Sequence, residues 1–92
     1  MAYKIEHNKS KKRFETTVDD YLSVLEYKLF DEGIIFTHTG VPEELEGMGI
    51  GSALAKTALD YAIDNHMKII PICPFVKYYI GKHPEYQIYI SK

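Results

Sequence analysis

The sequence has no tryptophan, one cysteine and no excess of positive charge. The lone cysteine, Cys73, cannot form an internal disulfide, which suits a reducing cytoplasm. Eleven basic side chains face 13 acidic ones, a net charge of -2. A general polyanion binder needs a basic excess to displace counterions, so no nucleic-acid partner is expected. The one basic cluster, KSKKR at Lys9 to Arg13, reads as a charged turn between two strands. No apolar run approaches the roughly 18 residues of a membrane span. The opening MAYKIEHNKS carries no apolar signal core. The expectation is a cytoplasmic protein with no membrane partner. Repeats and low-complexity segments are also missing.

What is there is enough for one small domain over residues 1–92. Hydrophobic residues make up 46% of the chain, enough for a packed core. A chain this short buries a smaller share of its surface than a long one, so modest stability or a supporting partner is expected. Eight tyrosines, with four phenylalanines, read as the core's aromatics.

Ala2 to Lys9 holds the alternation Tyr3, Ile5, His7 of an edge strand. Phe14 to Val18 reads as a second strand, and Asp19-Asp20 as a turn. Tyr21 to Phe30 alternates with period two, rich in aromatic and branched residues, which favours a strand. Asp31-Glu32-Gly33 reads as a hairpin turn, with glycine supplying positive φ. Gly33 to Val41 is the most strand-like run, and Pro42 ends it. From Ile50 to Asn65, Ile50, Ala53, Leu54, Ala58, Tyr61 and Ala62 recur at spacings that lay one stripe along a helix. Lys68 to Cys73 reads as a short buried strand, with Pro71 marking a bulge, an edge or a splay. Phe75 to Lys82 reads as a short helix ended by Gly81, and Tyr86 to Ile90 as a last strand. The class is α+β: an antiparallel meander, then a β-α-β crossover and a short C-terminal helix.

The segment EGMGIGS, Glu46 to Ser52, places three alternating glycines against a helix start. Such a turn exposes unpaired N–H groups beside the positive end of the helix dipole, a setting for phosphate. A flexible turn that binds nothing explains the same glycines. A Walker loop needs Gly-Lys-Ser/Thr, whereas Gly51 is followed by Ser52-Ala53. A dinucleotide fold needs its glycines after the first strand. Neither fits.

The set HTGVP, EGMGIG and PICPFV followed by KHPEY resembles the GCN5-related N-acetyltransferase superfamily, and within it a group of very small acetyltransferase-like proteins. The resemblance covers about Phe36 to Tyr86. It implies a GNAT-like fold, truncated relative to full-size acetyltransferases, which carry further strands beside the acceptor site. It implies acetyl-coenzyme A as cofactor, no metal, and transfer of the acetyl group to a small-molecule or peptide amine. Glu46, Gly47, Met48, Gly49, Ile50, Gly51 and Ser52 would cradle the cofactor. Backbone groups at Gly40 and Val41 would meet the pantetheine arm where two central strands splay. Glu46 departs from the family's Gln or Arg, and a carboxylate pointing inward would repel a pyrophosphate.

Cys73 is the leading candidate for chemistry, as nucleophile or base, because a helix start beside it would favour thiolate. A small buried hydrophobe is its other reading. His38 shares alternation parity with Ile34, Phe36 and Gly40, and is either a structural histidine or a general base. Tyr79 stands four residues after Phe75, as a groove wall or a core residue. The resemblance implies an N-acetyltransferase; the alternative is a coenzyme A-binding module or sensor with little transfer.

Overall fold

The computed structural model describes residues 3–91. Its elements are β1 (Glu6–Asn8), β2 (Arg13–Val18), β3 (Tyr21–Phe30), β4 (Gly33–Gly40), a short 3-10 turn (Glu43–Leu45), α1 (Ile50–Asp64), β5 (Lys68–Pro71), α2 (Pro74–Lys82) and a second 3-10 segment (Pro84–Tyr89). One sheet holds the strands in the order β1-β2-β3-β4-β5. The first four pair antiparallel, and β5 runs parallel to β4 after the α1 crossover. This is the expected α+β arrangement.

Cross-strand partners share a face of the sheet. Phe14, Leu25, Tyr27, Ile34, Phe36 and Ile69 fall on one face and are buried there. α1 packs across β2 to β5, and α2 packs on β4, β5 and α1. The buried stripe of α1 is Ile50, Leu54, Ala55, Ala58, Leu59 and Ala62. Ala55 and Leu59 join the expected stripe, while Ala53 and Tyr61 are only half-buried. His7, Phe14, Tyr27 and Tyr61 form an aromatic cluster that joins α1 to the outer strands.

Several expectations need correction. Gly33 is not a positive-φ residue; it opens β4. It is glycine because a Cβ there would lie 2.0 Å from the Lys68 carbonyl oxygen. β1 is shorter than expected, and the expected start at Ala2 lies outside the described residues. β5 stops at Pro71, before Cys73, and Gly81 lies inside α2. The expected last strand is a 3-10 segment, with Ile90 alone bridging to Ile69. Pro84 starts that segment, and the Tyr86 hydroxyl donates to Asp60 Oδ1 at 2.8 Å, which draws it toward α1. Of the tyrosines, Tyr27, Tyr79 and Tyr86 are buried, but Tyr21, Tyr78 and Tyr89 are exposed.

Candidate active site

β4 and β5 pair only from Gly33–Lys68 to Phe36–Pro71. Beyond that point the strands separate. Lys68 and Ile72 turn their N–H groups to β4, so Pro71 faces the other edge, and it is Pro74, next in that alternation, that has no N–H to extend the ladder. The two donors before it, Ile72 N–H at 3.1 Å and Cys73 N–H at 2.9 Å, both reach the Phe36 carbonyl. That convergence turns the chain away from β4 and into α2. Thr37 to Gly40 therefore have a strand partner on the β3 side alone.

β4 also carries a bulge. Tyr27 faces Phe36, yet Glu26 faces His38, so Thr37 is the extra residue. The Thr37 hydroxyl donates to the Glu26 carbonyl at 3.2 Å and pins it. A bulge reverses the alternation that follows it. Thr39, opposite Leu25, thus lies on the core face, and His38 is exposed on the other face. The expected parity of His38 with Ile34 and Phe36 is overturned by this one inserted residue. Gly40 follows His38: a Cβ there would meet His38 Nε2 at 3.2 Å.

A cavity of about 300 Å³ opens where the gap meets the start of α1. Val41, Glu46, Gly47, Gly49, Ile50, Gly51 and Ser52 line it, as expected from the sequence. Thr39, Leu45 and Phe75 line it too, and were not singled out from sequence. Gly40, Met48 and Tyr79 are not among its walls. Buried Leu45 anchors the turn that leads in. Gly47 (φ 81) and Gly49 (φ 76) hold left-handed backbone, and a Cβ on either would meet nothing within 4 Å. They are glycine for conformation. Gly51 is already helical, and its Cβ would come 2.9 Å from Phe75 Cζ; it is glycine for helix contact. No side chain caps Gly49, and the first α1 bond is Ala53 N–H to the Gly49 carbonyl at 3.0 Å. Among the described residues, the Ile50, Gly51 and Ser52 amides therefore have no backbone or side-chain partner, the usual setting for an anion at a helix start. The Tyr3 hydroxyl donates to the Met48 carbonyl at 2.5 Å, tying the turn to the strand side. Nothing in the spacing of Tyr3 signals that link.

Cys73 is the N-cap residue of α2 and 3% exposed. Its Sγ lies 3.2 Å from Thr39 Oγ1. Tyr79 is buried, its ring stacked on His83 at 4.0 Å. Burial pushes its phenol above the usual tyrosine range, against the opposing pull of Lys56. Burial and the bond to Asp60 push the Tyr86 phenol up further. Lys56 is paired with Asp60 at 2.9 Å. These groups contact one another between α1, α2 and the second 3-10 segment and are not among the cavity walls.

An antiparallel meander, a β-α-β crossover that splays, and a glycine turn feeding the crossover helix define the acetyltransferase class of α+β fold. The chain belongs to the GCN5-related N-acetyltransferase family, whose description "GCN5-related N-acetyl-transferase" matches residues 13–89. Protein NATD1 of Mus musculus is 29% identical over 84 residues, 88% of this chain and 76% of its own. Protein NATD1 of Xenopus tropicalis is 26% identical over 86 residues, 90% of this chain and 79% of its own. A GCN5-like protein of Staphylococcus aureus, solved by NMR in solution, superimposes with a TM-score of 0.75 at 32% identity, covering 97% of this chain and 88% of its own.

Proposed function

We propose that the chain is an acetyl-coenzyme A-dependent N-acetyltransferase acting on a small-molecule or peptide amine in the cytoplasm. The observation that carries this reading is the cavity of about 300 Å³ joining the helix-start amides to the β4–β5 gap. Its residues fit the cofactor. Ile50, Gly51 and Ser52 offer N–H donors for a pyrophosphate, and Gly47 and Gly49 keep the approach free of side chains. The backbone of Gly40 and Val41, beside the gap, suits an extended amide-bearing arm. When bound, the cofactor supplies an activated acetyl thioester. Cys73, at the closed end of the gap, is our candidate for exchanging a proton or for taking up the acetyl group with release of free coenzyme A. With a net charge of -2, the surface favours neither nucleic acid nor an anionic membrane as partner.

The second reading, a coenzyme A-binding module with little transfer, is favoured by two observations. Glu46 lines the cavity, and Cys73 does not. Calorimetric titration with acetyl-coenzyme A, coenzyme A and ATP tests the shared cofactor claim. Micromolar binding confined to the coenzyme A forms is expected; no binding at millimolar ligand removes both readings. Cys73→Ser separates them: transfer collapses with binding intact if the thiol carries chemistry.

A further inference from the structure

Building on the acetyl-transfer reading, we propose that Thr39 is the positioning residue of the site, aimed by the β4 bulge to hold the Cys73 sulfur. Thr39 lines the cavity and Cys73 does not, so Thr39 links the cavity wall to the buried thiol through the 3.2 Å contact. The 3.2 Å contact is within hydrogen-bond reach for sulfur, and the Thr39 hydroxyl makes no other bond among the described residues. A hydroxyl both donates and accepts. It accepts from the neutral S–H and donates to the thiolate, so it keeps the sulfur in one place through a proton exchange.

The backbone fixes both partners to one reference point. The Phe36 carbonyl receives the Cys73 N–H, and the bulge that reverses Thr39 begins at the next residue. Phe36 itself is fully buried. Sulfur and hydroxyl are thus held from the same rigid spot, the arrangement that preorganises a reactive pair. Without the bulge, regular alternation would turn Thr39 outward and His38 in. The Thr37 hydroxyl bond to Glu26 keeps the bulge in place.

Cys73 is the only cysteine, so alkylation by iodoacetamide reports on it alone. Wild type, Thr39→Val and Thr39→Ser are compared at neutral pH, with melting temperature and acetyl-coenzyme A affinity measured on each. Valine keeps the shape and removes the hydroxyl. Thr39→Val is expected to slow alkylation about tenfold, the size of a lost hydrogen bond to a charged group, and to lower kcat more than it changes KM. Thr39→Ser is expected to restore both within about threefold of wild type, since serine keeps the donor. Wild-type alkylation in a folded Thr39→Val protein overturns the proposal. Should that variant fail to fold, Thr37→Val leaves the Thr39 hydroxyl in the chain but releases the bulge. Slowed alkylation there supports the proposal, and an unchanged rate overturns it. Alkylation needs no cofactor, so failure of coenzyme A binding in wild type strikes the functional reading and leaves this comparison standing.

Discussion

Gly33 and Gly51 are both crowded, and the identity of the crowding atoms separates their fates. A Cβ at Gly33 meets backbone, the Lys68 carbonyl oxygen at 2.0 Å, which cannot yield without breaking the parallel pairing. Gly33→Ala should cost about 3 kcal/mol or more, beyond the usual overpacking penalty, read from urea melts. At Gly51 the obstacle is the tip of the Phe75 ring, which can swing. Alanine also gains about 1 kcal/mol of helix propensity over glycine. Gly51→Ala should therefore leave stability nearly unchanged while weakening coenzyme A binding, because the displaced ring enters the cavity. Calorimetry on the melt-checked variant decides this. His7 gives a pH effect. Burial, and then the Lys9 charge, hold its imidazole below the ordinary 6.5. The unfolded chain takes up that proton near 6.5, and the native chain only at lower pH. Below 6.5 the unfolded state binds more protons, so stability is lost as the pH drops through that window; above it the contribution is complete. Melting temperatures of wild type should drop on acidification from about pH 7 to 5, and His7→Phe should flatten that part of the slope.

Most elements were legible from periodicity. β3 runs from Tyr21 to Phe30 as the alternation requires, and the α1 stripe follows the helical spacing. The misses share a cause. Tyr86 to Ile90 has strand-like composition, but its neighbours give it no ladder, and Asp60 offers the Tyr86 hydroxyl a better partner. Thr37 looks like any strand residue, and only its pairing with β3 makes it a bulge. That reversal is why His38 was expected inside and Thr39 passed unnoticed. The glycine turn was legible because left-handed backbone demands glycine at fixed positions. The role of Phe75 was not, because helix-to-helix contact leaves no local mark. The 3-10 segment supplies a test at this scale. Tyr86→Phe deletes a bond to a half-exposed carboxylate, so it should cost about 1 kcal/mol, read from thermal melts. Loosening should be confined to residues 84–90, visible as faster amide exchange there.

At the scale of the whole molecule, a 92-residue chain has little stability to spare, so ligand binding should register strongly in its melting. Coenzyme A at ten times its dissociation constant adds about 1.4 kcal/mol. For a domain of this size that is a rise of about 6–10 °C. Scanning calorimetry should show that rise with acetyl-coenzyme A and none with ATP; equal rises would mean a general phosphate site. The seam between Gly33 and Lys68 has a consequence for how the chain is made. The meander closes through short turns as soon as β4 leaves the ribosome. The parallel seam must wait until α1 and β5 have followed. Phe36 thus sits in finished hairpins while the segment that will converge on its carbonyl is still being synthesised. The gap and the contact on the buried thiol are complete only once β5 has docked on β4, so the candidate site is assembled after the meander.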